Sequence, residues 1–133
     1  MKDTFNYKKS LGQNFLIDKN IINKIINEVD TNENDLIIEI GPGSGALTKE
    51  LSLLNTNVFS FEIDKRLEEN LLKLESNKVH FVFQDFLKVN LKEFLADKEY
   101  KRLFFVGNLP YYITSAIINK IISECDAYKI IIM

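Results

Sequence analysis

The sequence predicts an α/β fold: a Rossmann-like, doubly wound parallel sheet with helices on both faces. Three observations carry this expectation. Short apolar runs alternate with helix-compatible segments along the chain, the pattern of successive βαβ units. The first run, Leu36-Ile37-Ile38-Glu39-Ile40, closes in Gly41-Pro42-Gly43-Ser44-Gly45, a turn whose glycines lack Cβ atoms where a ligand must approach the backbone. Polar residues suited to binding recur at the ends of the runs, where such a sheet holds its ligands.

Each element has its own justification. Residues 1–16 show no clear period, although Phe5, Leu11, Phe15 and Leu16 can pack locally. Asp18 is a fair N-cap for a helix with Ile21, Ile22, Ile25, Ile26 and Val29 on one apolar stripe. After a polar connection, Leu36–Ile40 reads as a buried parallel strand. Ala46 to Leu54 is helix-compatible, and Val58–Ile63 is the second strand. Asp64 caps a helix expected to turn Leu67, Leu71, Leu72 and Leu74 inward. Val79–Phe83 forms the third strand, closed by Gln84 and Asp85, and residues 86–96 form a loop and a short helix. The fourth strand, Leu103–Val106, runs into Gly107-Asn108-Leu109-Pro110-Tyr111-Tyr112. Thr114 or Ser115 is expected to cap the next helix, with Ala116, Ile117, Ile118, Ile121 and Ile122 apolar. Lys129–Met133 is the fifth strand, and because the chain stops inside it we expect a fragment truncated after that strand.

The bulk numbers bound the function. A length of 133 residues allows one domain. The net charge of -2 does not announce a nucleic-acid binder. Yet Lys2, Lys8, Lys9, Lys19 and Lys24 outnumber Asp3 and Asp18 near the N-terminus, so a basic arm for phosphates and a solvated tail both stand as readings. Cys125 is the only cysteine; it excludes an intrachain disulfide and fits the cytoplasm. On an apolar helix it is expected to be packed rather than reactive. His80 reads as a strand residue near the surface. No run approaches the ~20 apolar residues of a membrane span, the polar N-terminal residues, lacking an apolar h-region, do not read as a signal peptide, and no cysteine–histidine cluster has metal spacing.

Gly41, Gly43 and Ala46 satisfy the dinucleotide pattern G-x-G-x-x-A, a weak signal alone. Pro42 removes a donor from the turn. Glu39 lies two residues before the first glycine, where an acid suits a cationic ligand better than a pyrophosphate. S-adenosylmethionine, with a sulfonium, an ammonium and no phosphate, is such a ligand; the plainer alternative is that Glu39 caps a loop N–H. Glu62 follows Gly41 by 21 residues, the spacing at which an acid takes both ribose hydroxyls. Asp85 can accept from an adenine amino group while Phe86 covers a ring face. At the fourth strand end, the Asn108 side-chain oxygen and the Leu109 carbonyl can both accept from an exocyclic amine and aim its lone pair. Pro110 fixes that turn, and Tyr111 offers a face on which a base can stack. Taken singly, Glu62 and Asp85 are equally helix caps or surface acids, Phe86 core, and Asn108 with Pro110 an ordinary turn. Their placement at successive strand ends is what argues for one site.

The chain resembles the bacterial small-subunit ribosomal RNA adenine N6-dimethyltransferases, the KsgA (RsmA) type. The matching residues are Leu11-Gly12-Gln13-Asn14-Phe15-Leu16, Glu39 through Thr48, Glu62-Ile63-Asp64, Gln84-Asp85-Phe86-Leu87 and Gly107 through Ser115, in family order. The resemblance implies a class I S-adenosylmethionine-dependent methyltransferase fold, with residues 1–133 as its cofactor-binding domain, lacking later strands and a small helical C-terminal domain. It implies dimethylation of two adjacent adenines near the 3′ end of 16S rRNA in the small ribosomal subunit, by a monomer that uses neither metal nor membrane. By this match Asn14, Leu16, Gly41, Gly43, Glu62, Ile63, Asp85, Phe86 and Asn108 hold the cofactor. Asn108, Leu109, Pro110 and Tyr111 form the catalytic loop, and Tyr111 stacks on the target base. Tyr112 departs from the family, which often has a polar residue there. Related 23S rRNA methyltransferases of the macrolide-resistance type share most motifs, and a non-catalytic ribosome-assembly or RNA-binding factor shares the fold. A nicotinamide dehydrogenase leaves the Asn108–Tyr111 loop without a task.

Overall fold

The computed structural model describes residues 18–133. The chain forms α1 (Lys19–Glu28), β1 (Leu36–Ile40), α2 (Ala46–Leu51), β2 (Asn57–Phe61), α3 (Glu68–Leu72), β3 (Val79–Val82), α4 (Leu91–Leu95), β4 (Leu103–Gly107), α5 (Tyr111–Glu124) and β5 (Lys129–Ile132). Single 3-10 turns occupy Ser52–Leu54, Lys65–Leu67 and Phe86–Lys88. The five strands are parallel in the order β3-β2-β1-β4-β5. The strand order reverses between β1 and β4, which opens the crevice that doubly wound sheets use for ligands. Among the described residues no helix is long and apolar enough to cross a membrane.

Side-chain alternation along β1 divides the core between the two faces. Leu36, Ile38 and Ile40 join Phe61, Phe105, Leu91, Leu95, Ile117 and Ile121 beneath α4 and α5. Ile37 joins Val58, Phe104, Val106, Ile22, Ile25, Leu47 and Leu51 beneath α1 and α2. All five β1 residues are buried, as a central parallel strand covered on both sides requires. Asp18 caps α1 as expected, accepting from the Asn20 N–H at 2.9 Å.

Three local expectations are corrected. Leu67 and Leu71 are buried against Phe81 and Phe83, but Leu72 is exposed. The α-helix there is only five residues long, so Leu72, about 100° around from Leu71, turns to solvent. Leu74 lies past the helix end, half-buried against Gly45. Neither Thr114 nor Ser115 caps α5. Pro110 takes the N-cap position with ψ 136°, and the Thr114 hydroxyl inside the helix donates back to the Pro110 carbonyl at 3.3 Å. The fixed φ of proline starts the helix a turn early.

Candidate active site

The register brings the strand ends level. Ile40 of β1 stands beside Phe61 of β2 and Gly107 of β4, and Phe61 stands beside Val82 of β3. The residues that follow must therefore meet above the sheet. They surround a cavity of about 320 Å³, within the range of small-molecule sites. Gly41, Gly43, Glu62, Ile63, Asp85, Phe86, Asn108, Leu109 and Pro110 all line it.

The glycine loop sets the first wall. Gly41 has φ +71° and Gly45 φ +87°, the left-handed region open to glycine at little cost. The Gly45 N–H donates to the Pro42 carbonyl at 2.8 Å, and Gly45 then serves as N-cap of α2. The Glu62 carboxylate, fully buried, crosses to this loop: Oε1 accepts from the Gly43 N–H at 3.1 Å and Oε2 from the Asp64 N–H at 2.9 Å. These bonds fix its orientation at the cavity wall. Asp85 accepts from the Leu87 N–H at 3.0 Å, capping its own 3-10 turn. Phe86 is 4% exposed and packs edge-on against Phe61 and Phe105. It is a core residue that also forms part of the cavity lining, whereas Ile63 is half-exposed there.

Glu39 is not a loop cap. Its Oε1 accepts from the hydroxyls of Thr48 at 2.5 Å and Ser60 at 2.8 Å. Its Oε2, among the described residues, is the one buried side-chain polar atom without a hydrogen-bond partner. Burial pushes the Glu39 carboxyl up to about 7 and the Glu62 charge adds to this, against the pull of the two hydroxyls. Among the described residues the ionisable groups lining the cavity are thus Glu39, Glu62 and Asp85, all acids, with burial favouring the neutral form of Glu39. Negative charge on that wall favours a cationic ligand over an anionic one.

Asn108 lines the cavity at the end of β4. The Leu109 N–H donates to the Met133 carbonyl at 3.0 Å, and the Met133 N–H donates to the Gly107 carbonyl at 3.1 Å, so β5 anchors this loop. Tyr111 is 91% exposed and stands outside the lining, while Tyr112, 62% exposed, contributes to it. Successive helical residues point about 100° apart, so the two tyrosines opening α5 face different directions. Ile22, Leu47, Leu87, Ile113 and Ile117 also line the cavity. The i, i+4 spacing of Ile113 and Ile117, directly after the loop, is the signal that marks them. Asn14 and Leu16 lie outside the described residues.

Residues 4–133 match the family model for ribosomal RNA adenine dimethylase. The chain is 53% identical over 130 residues to ribosomal RNA small subunit methyltransferase A of Mycoplasmopsis synoviae (strain 53), covering 96% of this chain and 48% of the relative. The chain therefore spans about half the length of that relative. Among solved structures it is similar to the 23S rRNA methyltransferase ErmE, with TM-score 0.68 and 34% identity, over 84% of this chain and 43% of that one. It is also similar to a dimethyladenosine transferase from Plasmodium falciparum, with TM-score 0.62 and 27% identity, over 84% and 39%.

Proposed function

Because this chain belongs to the ribosomal RNA adenine dimethylase family, we propose that its protein dimethylates the N6 amines of two adjacent adenines near the 3′ end of 16S rRNA, with S-adenosylmethionine as methyl donor. The observation that carries this reading is the convergence of Gly41, Glu62, Asp85 and Asn108, from four strand ends, on one acid-lined cavity. Residues 1–133 act as the cofactor-binding domain.

In this reading Gly41 and Gly43 lie against the methionine part, Glu62 holds the ribose hydroxyls, and Asp85 accepts from the adenine amino group. Ile63 and Phe86 supply the apolar walls. Asn14 and Leu16 join them on the strength of the family motif. The cofactor brings an activated methyl group on a sulfonium. What remains for the chain is alignment and charge placement. The Asn108 side-chain oxygen and the Leu109 carbonyl accept from the two N–H bonds of the target amine and turn its lone pair toward the methyl group. Pro110 holds that geometry. Tyr111, exposed at the start of α5, is free to stack on a base that has left its helix. The protein acts as a monomer on the small ribosomal subunit.

Likeness to a 23S rRNA methyltransferase keeps the large subunit as a second reading. The test is to incubate isolated small and large subunits with methyl-labelled cofactor and the intact protein. Label in two adjacent small-subunit adenines supports the proposal, label confined to the large subunit supports the second reading, and no label overturns both. Asn108→Ala is expected to lower kcat at least a hundredfold; full methyl transfer by that variant would remove the proposed role of the loop.

A further inference from the structure

Leu109 offers more than its carbonyl. A Cβ built on Gly41 would stand 2.9 Å from Leu109 Cδ2, and one built on Gly107 would stand 3.3 Å from Leu109 Cγ and 3.4 Å from Cδ1. The leucine side chain thus lies directly on two glycines, one opening the β1 loop and one ending β4. Its backbone N–H is held by the hydrogen bond to the Met133 carbonyl, and Pro110 restricts it to extended conformations. A leucine whose backbone is fixed and whose side chain lies against two glycines has little freedom to repack.

We propose that the Leu109 side chain is a positioning residue that sets the distance between the glycine loop and Asn108. The inference rests on the function proposed above, in which the cofactor lies along Gly41 and the acceptor amine meets Asn108. Methyl transfer is sensitive to that distance, because small displacements of reacting groups cost large factors in rate. The absence of a side chain at Gly41 then serves the leucine, whose Cδ2 stands where a Cβ would crowd it.

The test is a double-mutant cycle in the intact protein with Gly41→Ala and Leu109→Ala, read as kcat at saturating cofactor and RNA. Leu109→Ala is expected to lower kcat roughly thirtyfold with the cofactor dissociation constant changed less than about threefold, as loss of alignment rather than of binding requires. Leu109→Met, which refills the space, is expected to recover kcat to within about threefold. Backbone strain at Gly41 is present in both backgrounds and cancels in the cycle, leaving the contact itself. Gly41→Ala is therefore expected to cost at least about fivefold less in the Leu109→Ala background. Additive effects, or a Leu109→Ala protein with normal kcat, overturn the proposal. If Leu109→Ala does not fold, the cycle with Leu109→Val decides by the same criterion. The wild-type protein is the control: its failure to label RNA would overturn the proposed function, whereas wild-type labelling with additive variants overturns only the role of the leucine.

Discussion

At the residue scale, Glu39 couples the sheet to the cavity. Folding places its carboxyl where the charged form is costly, so the native state holds a proton that an unfolded glutamate releases near 4.5. A raised acid value gives a contribution to stability that is full below about pH 4.5 and lost as pH rises toward 7. Glu39→Gln keeps the shape and removes the titration. The stability difference between wild type and Glu39→Gln, measured by denaturant titration, is expected to move against wild type by on the order of 3 kcal/mol between these pH values. A difference that stays flat would show that Glu39 ionises normally. The acid and its place before the glycine loop were legible in the sequence. Its partners were not, because Thr48 and Ser60 reach it from a helix and a neighbouring strand that no local pattern joins.

At the element scale, the far end of the sheet is tied by Arg102. Its Nε and Nη2 reach the two Asp35 oxygens at 3.2 and 2.7 Å, and Nη2 also donates to the Asp30 carbonyl at 2.7 Å. The guanidinium lies over the rings of Phe104 and Tyr128, 5.2 and 4.8 Å from their centroids. This binds the entry to β1 to the entry to β4 and so sustains the register that levels the opposite ends. The Arg102 hydrogen bonds hold the Asp35 carboxyl below its ordinary value, against burial. Its contribution is thus present above the ordinary carboxylate range and lost in acid. Arg102→Ala leaves the buried Asp35 carboxylate without its counter-charge, with the Asn32 N–H still donating to it, and is expected to cost about 3 kcal/mol. Arg102→Lys is expected to recover only part, because an ammonium cannot form the two-pronged bond. An alanine variant with unchanged stability would show the clamp to be idle. The elements themselves were readable from apolar runs. The start of α5 was not, because Pro110 outcompeted the hydroxyl residues that the sequence offered as caps.

At the scale of the whole molecule, the site exists because parallel strands finish at one level. S-adenosylmethionine at a hundred times its dissociation constant is expected to stabilise the intact protein by about 2.7 kcal/mol, provided it binds only the folded state; NADH is expected to give no shift. A melting curve that moves with NADH instead would overturn the proposed cofactor. Beside the cavity, a shallow groove between α4 and α5 carries Lys88, Lys92 and Lys120, with Lys120 paired to Glu124 at 2.7 Å. Replacing Lys88 and Lys92 by glutamate is expected to raise KM for RNA about tenfold and to reduce its salt dependence, with kcat retained; an unchanged KM would exclude this flank as a path for the RNA. The sequence by itself determined the alternation of strands and helices, the glycine turn and the acids at the strand ends, since each is a property of neighbouring residues. Only the tertiary structure decided that those ends meet, that Leu109 sits on Gly41, and that Tyr112 rather than Tyr111 lines the cavity. Those outcomes depend on register and helix phase, which are set by packing between segments far apart in the chain.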